Sequence, residues 1–422
     1  METDTTPHSP APSERTGPLD GITVVEVANW VAAPSACAMM SDLGANVLKI
    51  EPLQGDAMRG MFRPAQSRRQ GTIDTGFHLD NRGKRSVAIS IDKSEGAGLV
   101  RRLVADADVF VTNLMPKRQV RFGLDPATIH KVNARIVHAT LTGYGTIGPD
   151  ANRAGFDVTA FFGRGAVIES MATQGQDAPY PRPGQGDHIA GLSLLAAVLS
   201  ALRLVERNGV GQVVNVSLFG TSVWTMSTDL SAVLVDGREP TRRDRRHMTS
   251  ALANRYLCQD GRWILLNMPD AQWWVKFCEA ISNVTLAEDP RFQTPKGRYD
   301  NMPELVDAVS EVLVQKTLSQ WMGIFDRAGL IVGPAASLAE LATDEQAAAT
   351  DLFPTITVAG EGIRTVAVPF GIQGAHIAPR GAGPDVGQHT AEVLSALGLT
   401  SEEIGRLVDD RVILESANSA PV

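Results

Sequence analysis

Residues 181–217 read PRPGQGDHIAGLSLLAAVLSALRLVERNGVGQVVNVS. A loop rich in Pro and Gly ends at Gly-Asp-His, residues 186–188. An apolar run over 189–205 follows, then an Asn-Gly pair at 208–209 that is typical of a helix end, and a β-branched run over 213–216. The pattern predicts a loop, a helix, a turn and a strand.

The predicted helix is apolar on all sides, which is typical of a helix buried in the core of a large protein. Ser193, Ser200 and Arg203 interrupt the apolar run, and these polar residues argue against a membrane span. We therefore expect a buried helix that carries the carboxylate of Asp187 in its first turn.

The position of Asp187 has two interpretations that the spacing leaves open. As a helix N-cap, its carboxylate would accept a backbone N–H two or three residues further on. As a nucleophile, it would use the amides and the dipole at the helix N-terminus to stabilise its negative charge. Gly184, Gly186 and Gly191 surround it in the sequence and would allow a backbone or a substrate to come close.

The composition is that of an ordinary soluble globular protein, with 43% apolar and 20% charged residues. A length of 422 residues is enough for two domains, each with its own core. The net charge of −8 argues against nucleic acid or an anionic membrane as a partner, because phosphate contact requires a basic surface.

The three cysteines, Cys37, Cys258 and Cys278, are far apart in the chain and form no CxxC or Cys/His spacing. This argues against a disulfide framework and a metal site, and it favours a cytoplasmic location. Residues 1–17 are rich in Pro, Ser and Thr and contain no apolar segment of a signal peptide, so we expect a disordered tail.

Strand-like and helix-like stretches alternate in the first part of the chain. The strand-like stretches are residues 22–27, 46–50, 86–91, 108–112 and 135–141, and the helix-like ones are 33–43, 95–105 and 126–132. This alternation predicts an α/β fold with a mostly parallel, Rossmann-like sheet covered by helices. The sequence contains no GxGxxG after the first strand, no GxxxxGK[ST] and no GxSxG. Their absence argues against a nicotinamide dehydrogenase, a P-loop kinase and an α/β-hydrolase.

The pattern changes after the charged stretch GREPTRRDRRHM, residues 237–248. An Asp-Gly pair at 260–261 between two apolar runs predicts a β-hairpin, and amphipathic stretches over 271–282, 303–316 and 319–328 predict helices. These features indicate a smaller α+β domain. The predicted organisation is a large domain over 18–236, a linker over 237–248, a small domain over 249–345, and a return of the chain to the large domain over 346–422.

Eight stretches, in order along the chain, resemble the class III CoA-transferases, the family of formyl-CoA transferase and carnitine CoA-transferase. They are residues 18–52, 80–96, 108–124, 134–149, 186–220, 254–268, 288–294 and 387–404. The resemblance implies an interlocked homodimer, in which each chain forms a ring that the partner threads. It also implies acyl-CoA and small carboxylic acids as substrates, with no tightly bound cofactor.

The resemblance identifies Asp187 as the nucleophile. A carboxylate would attack the thioester carbonyl of a donor acyl-CoA, giving a mixed anhydride and CoA thiolate. The thiolate would then form an aspartyl-CoA thioester, and an acceptor acid would reverse both steps. Gly186, His188 and Gly191 are the residues we expect near the substrate or the developing oxyanion.

Contacts with CoA are also implied by the resemblance. The cations expected in loops between strands and helices, where open α/β sheets bind ligands, are Lys84, Arg85 and Arg121, with Lys49 and Arg118 as weaker candidates. The residues expected along pantetheine or adenine are Trp30, Val31, Ala32, Asn113 and Tyr144. Apolar residues near the site, Phe161, Phe162 and Met171, favour an acyl group less polar than oxalate.

Two other functions remain open. An α-methylacyl-CoA racemase shares the fold, but the related racemases carry a His where this chain has Phe156, and Phe cannot transfer a proton. His188 next to Asp187 keeps this alternative in consideration. A non-catalytic acyl-CoA binding protein would retain the basic residues and tolerate the loss of the Asp187 carboxylate.

Overall fold

The structure, a computed structural model, describes residues 16–61, 73–268 and 272–416. All but two residues of the predicted disordered tail, residues 1–17, lie outside these ranges. The described chain divides into two units. The first comprises the residues up to 169, residues 180–235 and those from 348 onward, and the second comprises residues 170–179 and 236–347. The domain bounds given above stay a prediction.

A seven-stranded sheet forms the centre of the first unit. Its strands, numbered in chain order, are β1 (Thr23–Val27), β2 (Asn46–Glu51), β3 (Arg85–Ile89), β4 (Val109–Thr112), β5 (Val137–Thr142), β6 (Gln212–Ser217) and β12 (Ile413–Leu414). Their order is β12-β3-β2-β1-β4-β5-β6, and all neighbours are parallel except β12 with β3. The predicted α/β fold with a mostly parallel sheet is confirmed, and the order from β3 to β6 is that of a doubly wound nucleotide-binding sheet.

The helices of the first unit include those that cover both faces of this sheet. They are α1 (Ala32–Asp42), α2 (Thr75–Asn81), α3 (Ser94–Val104), α4 (Pro116–Phe122), α5 (Pro126–Val132), α7 (Gln185–Asn208), α8 (Leu218–Thr225), α9 (Ser227–Asp236), α17 (Thr390–Ala396) and α18 (Ser401–Asp409). Two smaller features remain: a short helix, α6 (Val167–Met171), and a β-hairpin of β10 (Thr355–Val358) and β11 (Glu361–Arg364). Apolar residues of α1 and α7 fill the core on one face, and those of α3, α5, α17 and α18 fill it on the other.

Helix α7 ends where the sequence predicts, at Asn208, and begins at Gln185, four residues before the predicted apolar run. Gly184 and Gly209 lie at its two ends in left-handed conformations, and the next strand is β6. One face packs on α1 and on the sheet through residues such as Leu194 and Val198. The expectation that it is buried all round is wrong, because Ile189, Leu192 and Leu204 are exposed on the single chain.

Among the described residues, α7 is the one helix with the length and apolarity to cross a membrane. Its buried residues belong to the core of the first unit, where they contact α1 and the strands β5 and β6. Core packing therefore accounts for part of its apolar character, in keeping with a soluble protein.

The second unit combines a three-stranded antiparallel sheet with helices. Its elements are β7 (Ala253–Leu257), β8 (Trp263–Asn267), β9 (Val332–Pro334), α10 (Trp273–Ile281), α11 (Val284–Glu288), α12 (Pro295–Asp300), α13 (Met302–Leu313), α14 (Leu318–Arg327), α15 (Leu338–Leu341) and α16 (Glu345–Ala349). The predicted hairpin is confirmed, with β7 antiparallel to β8. Its connection is five residues long, because the hydrogen bond from the Cys258 amide to the Arg262 carbonyl closes the loop outside the Asp-Gly pair.

Candidate active site

A crevice is expected where the strand order reverses, between the carboxyl ends of β1 and β4. Asn29 follows β1 and Asn113 follows β4, and they join the two loops. The Asn113 side-chain amide donates to the Asn29 carbonyl at 2.7 Å, and the Asn29 amide donates to Asn113 Oδ1 at 3.3 Å. Asn29 Oδ1 is buried and accepts no hydrogen bond from the described residues. A buried acceptor without a donor at this position fits a ligand that brings an N–H or O–H group.

Trp30, the next residue, has a φ of 71°. This left-handed conformation costs a bulky residue on the order of 1–3 kcal/mol and therefore needs support from its surroundings. Its amide donates to Asp56 Oδ1 at 3.0 Å, and its indole meets the Phe156 ring edge-on at 5.2 Å between centroids. The predicted contact residue Trp30 thus lies beside the Gly-Phe-Asp turn of residues 155–157.

The side chains of the other two residues predicted in this loop face the interior. Val31 is buried and clusters with Met58 and Phe77. Ala32 begins α1, and its carbonyl lies where α1 approaches Gly191 of α7. Both residues shape the loop from within, and their contact with CoA stays a prediction.

A buried charge network supports this loop from below. Lys49 forms ion pairs with Glu26 at 3.0 Å and with Asp56 at 2.8 Å, and it donates to the Ala28 carbonyl at 3.0 Å. Burial opposes the charge on Lys49, but the attraction of Glu26 and Asp56 outweighs it and raises the pKa of the ammonium. Since Asp56 also holds the Trp30 amide, the network fixes the strained residue.

Lys84 belongs to the same network, which corrects its predicted role. Its ammonium pairs with Glu26 at 2.7 Å and donates to the Pro34 carbonyl at 2.9 Å and to Asn81 Oδ1 at 3.0 Å. Three donors with three partners leave none for a phosphate. Burial is the main reason that the pKa of Lys84 lies below its ordinary value. Lys84 and Lys49 therefore act as buried supports of the β1–α1 loop in this conformation.

Of the remaining predicted cations, Arg85 is half-buried, whereas Arg118 and Arg121 are exposed on one helix. Arg85 begins β3, at the amino end of the sheet, and pairs with Glu392 at 3.0 Å. This position corrects the expectation that Arg85 follows a strand toward the ligand crevice. Arg118 and Arg121 are exposed on α4, after β4, and Arg121 lies 3.9 Å from Asp92. Of the predicted phosphate ligands, Arg118 and Arg121 are thus the exposed ones that follow the carboxyl end of a strand, β4.

Tyr144 lies in the turn after β5, where its ring contacts Gly155 of the Gly-Phe-Asp turn. The guanidinium carbons of Arg153 and Arg164 lie 5.5 and 5.1 Å from its ring centroid. The sequence argument missed these two arginines, although both stand within ten residues of the Gly-Phe-Asp turn in the chain. Asp150 forms an ion pair with Arg164. The surface therefore has two arginines around the Tyr144 ring, and at least one of them is neutralised by a carboxylate.

Asp187 occupies the first turn of α7 without serving as its cap. The N-cap residue is Gly184, and no side chain caps the helix. The capping interpretation of Asp187 is therefore wrong. Its carboxylate accepts no hydrogen bond from the part of the chain that the structure describes. The amides of residues 185–187 have no acceptor one turn earlier and offer donors at this place, whereas the His188 amide donates to the Gly184 carbonyl at 3.0 Å.

The surroundings of Asp187 disfavour its charge. Burial, with the nearby Asp157 carboxylate next in importance, raises the pKa of Asp187 to about 7, while His188 opposes this shift. Asp157 is buried, and its two oxygens accept the amides of Gly184 at 2.6 Å and of Val158 at 2.7 Å. Asp157 thus holds the loop directly before Asp187. A carboxyl group with a pKa near neutrality is typical of a catalytic site.

The glycines near Asp187 allow close packing. A Cβ on Gly186 would lie 2.7 Å from the ring of Phe161, and one on Gly191 would lie 2.2 Å from the Ser35 hydroxyl. Gly191 therefore brings α7 against α1, and this packing role is the one its geometry supports. Phe161 and Phe162 are buried in the core, whereas Met171 is exposed.

His188 pairs with a residue that the sequence argument missed. Its Nε2 lies 3.0 Å from Oδ1 of Asp80, a buried residue of α2, and its side chain is 46% exposed. Asp80 stands 108 positions earlier in the chain. No local pattern marks such a partner, because the fold alone brings the two residues together.

Comparison with known proteins assigns the chain to a family. The sequence model of the family described as CoA-transferase family III matches residues 19–390. The chain belongs to CoA-transferase family III. The predicted family is confirmed, and with it the prediction that the protein is an enzyme of CoA transfer.

Named relatives of this family III CoA-transferase cover almost its whole length. It is 34% identical over 397 residues to a (R)-2-hydroxy-4-methylpentanoate CoA-transferase of Clostridioides difficile, covering 94% of this chain and 99% of the relative. It is 30% identical over 404 residues to a cinnamoyl-CoA:phenyllactate CoA-transferase of Clostridium sporogenes, covering 94% and 98%. CoA thioesters are the common substrates of such enzymes.

Solved structures share the fold of this family III CoA-transferase. A CAIB/BAIF family protein from Brucella suis superposes with a TM-score of 0.81 at 28% identity, covering 91% of this chain and all of the other. A protein from Mycobacterium tuberculosis superposes with a TM-score of 0.78 at 27% identity, covering 90% and 99%.

Proposed function

We propose that this CoA-transferase moves CoA from a donor acyl-CoA to an acceptor carboxylic acid through Asp187. The supporting observation is the carboxylate of Asp187, which is half-buried, does not cap the helix and lies in the first turn of α7. A carboxylate that makes no hydrogen bond with the described residues keeps its lone pairs for attack. Its raised pKa also makes it a stronger nucleophile than an ordinary aspartate once it is ionised.

The proposed reaction conserves the energy of the thioester. The Asp187 oxygen attacks the thioester carbon, the C–S bond breaks, and a mixed anhydride and CoA thiolate form. The thiolate sulfur then attacks the Asp187 carbonyl carbon, and the donor acid leaves as a carboxylate. An acceptor carboxylate repeats the two steps in reverse. The amides of the first turn of α7 would stabilise the oxyanions of these steps.

CoA would lie in the crevice between β1 and β4. Asn29 Oδ1 needs a donor there, and Trp30 and Asn113 line the same loops. Arg118 and Arg121 on α4 are the exposed cations that would meet the phosphates. The structure supports this placement by position after the strand ends.

The acceptor acid would carry an apolar side chain. Trp30 and Phe156 form an aromatic pair next to Asp157, which holds the loop before Asp187. The relatives named above act on 2-hydroxy-4-methylpentanoate and on phenyllactate, acids with an isobutyl and a benzyl group. A panel of aliphatic, aromatic and dicarboxylic acids with one acyl-CoA donor, read by mass spectrometry, tests this class. Preference for succinate or oxalate would contradict it.

The protein would act in the cytoplasm as an interlocked homodimer. Large apolar residues are exposed along consecutive helices of the first unit, which favours cover by a second copy. They are Ile189, Leu192 and Leu204 on α7, Val223 and Trp224 on α8, and Leu234 and Val235 on α9.

Substitution of Asp187 tests the proposed function. The Asp187→Asn variant keeps the size of the side chain and removes the nucleophile. We expect CoA transfer to fall by at least about a thousand-fold, while the dissociation constant for CoA changes less than about three-fold. Asp177→Asn, which changes an exposed aspartate, is the matched control and should behave as the wild type. Unaltered turnover of the Asp187 variant would refute the assignment of Asp187 as the nucleophile.

Racemisation at the α-carbon of an acyl-CoA is the second candidate function. The Asp80–His188 pair favours it, because an imidazole oriented by a carboxylate is a general base. The test is deuterium exchange at the α-carbon of a 2-methylacyl-CoA in the absence of an acceptor acid. Rapid exchange would favour the racemase, and no exchange together with CoA transfer would favour the transferase.

A further inference from the structure

Three carboxylates surround the position where an acid substrate must react. Asp187 itself, Asp157 before the short π-helix (Val158–Gly163) and Asp80 on α2 all act on the same site. Every acid that enters or leaves is also a carboxylate at neutral pH. A fourth negative charge close to these three is unfavourable unless a cation faces it.

The other buried cations of this region are already neutralised. Lys49 and Lys84 are held by Glu26 and Asp56 through ion pairs of 2.7 to 3.0 Å. Across the described ranges, no lysine or arginine forms an ion pair with Asp80, Asp157 or Asp187. Among the residues that the structure describes, the basic group that does face them is the imidazole of His188.

The geometry of His188 leaves one ring nitrogen available. Nε2 is engaged with Asp80 Oδ1 at 3.0 Å, whereas Nδ1 makes no hydrogen bond within the described parts of the chain. The ring is half-exposed and lies over Gly184, at the entrance of the loop before Asp187. A protonated imidazole so placed offers its second N–H to an incoming anion.

The charges around the ring favour the protonated form. Its partial burial works against the charge, but the hydrogen bond and the negative charge of Asp80 outweigh it. Asp187 and Asp157 add to the effect, so the pKa of His188 lies above its usual value. Within the described ranges, these three aspartates are the charged groups that act on the ring, from α2, from α7 itself and from the turn before the π-helix.

We propose that His188, held as an imidazolium by Asp80, binds the carboxylate of the acid substrate beside Asp187 through its Nδ1–H. This inference rests on the proposed function and adds the group that recognises the acid. His188 is then a binding residue for the acid, and Asp80 is a positioning residue that keeps it charged. Binding of the acyl-CoA needs neither, since its thioester is neutral at the reacting carbon.

Steady-state kinetics of three variants test the inference, with separate KM values for the acid and for acyl-CoA. His188→Gln should raise the KM of the acid by about ten- to a hundred-fold, the range of a charge-assisted hydrogen bond, and leave the KM of acyl-CoA within about two-fold. His188→Lys supplies a cation that does not titrate near neutrality and should recover much of the loss.

The pH profile separates binding by the imidazolium from a structural role. In the wild type, the KM of the acid should rise as the pH passes above the pKa of His188, because the neutral ring loses the charge that binds the anion. Asp80→Asn should move this rise to lower pH, since it removes the carboxylate that stabilises the imidazolium. His188→Lys should show no rise over the same pH range.

Each outcome either supports or overturns the inference. An unchanged KM of the acid in His188→Gln, or a pH profile unaffected by Asp80→Asn, would overturn it. Covalent attachment of CoA to Asp187 from acyl-CoA alone is measured in parallel on every variant. Its absence in the wild type would refute the proposed function, whereas its presence in His188→Gln shows a folded and active nucleophile.

Discussion

At the scale of single residues, the account depends on how the fold changes the chemistry of ordinary side chains. Asp187 becomes a carboxyl group with a pKa of about 7, because it is desolvated and lies near a second carboxylate. Lys84 becomes an internal counter-ion of Glu26. Neither change is visible in the sequence, which gives the type of a side chain and its neighbours in the chain but not its burial.

The pKa of Asp187 predicts how stability depends on pH. The unfolded chain loses the proton near pH 4 and the folded chain near pH 7, so the ionisable carboxyl group costs stability progressively between these values. Asp187→Asn removes this cost. We expect the variant to be more stable than the wild type by on the order of 1 kcal/mol at pH 8, with no difference of this origin at pH 4.

Urea denaturation of both proteins at pH 4, 6 and 8 measures this effect. The gap in the free energy of unfolding should widen between pH 4 and 7 and stay constant above. A gap of the same size at every pH would show that Asp187 is not the group with the raised pKa.

At the scale of elements, strand order converts separate loops into one site. The loop after β1, the loop after β4 and the first turn of α7 come from residues 28–31, 113–115 and 185–188. The Asn29–Asn113 pair joins the first two, and close packing at Gly191 sets α7 against α1. The network of Lys49, Glu26, Asp56 and Lys84 then fixes the β1–α1 loop in its strained form.

A pair of substitutions separates support of this loop from ligand binding. Lys84→Met leaves Glu26 without one of its partners in the interior, and we expect a loss of about 3–5 kcal/mol in the free energy of unfolding. Arg121→Met changes an exposed residue and should leave stability within about 0.5 kcal/mol. It should instead raise the KM of acyl-CoA, most clearly at low salt.

Chemical denaturation and steady-state kinetics on both variants check this contrast. The opposite pattern, with Lys84→Met stable and impaired only in CoA binding, would return Lys84 to its predicted role as a phosphate ligand.

The elements themselves were largely predictable from the sequence, but their environment was not. The β-branched runs predicted β1 to β6, and the Asn-Gly signal predicted the C-terminal end of α7, because local periodicity and helix-end chemistry determine them. The two-residue strand β12, which pairs with β3 from more than three hundred residues away, has no such signal. The Asp80–His188 contact is hidden for the same reason.

At the scale of the whole molecule, the exposed apolar residues of α7, α8 and α9 favour an interface with a second copy of the chain. Trp224 is 79% exposed and Val235 is 84% exposed on the single chain. Burial of such residues stabilises an interface by roughly 25 cal/mol for each Å² removed from water. An interlocked dimer of this enzyme would cover them.

Charged substitutions at these exposed residues test the proposed dimer. Trp224→Glu together with Val235→Glu should produce monomers or aggregates, because burial of two unpaired carboxylates is unfavourable. Val120→Glu, a change at an exposed apolar residue of α4, is the control and should keep the dimer. Sedimentation velocity distinguishes the species. A wild type that sediments as a monomer would contradict the dimer.

The most direct test of the central claim is a search for CoA bound covalently to Asp187. The enzyme is mixed with an acyl-CoA in the absence of an acceptor acid, quenched with acid, digested and analysed by mass spectrometry. The account predicts a CoA thioester on the peptide that contains Asp187, with loss of the adduct when an acceptor acid or hydroxylamine is added. Turnover without any adduct on that peptide would contradict the account.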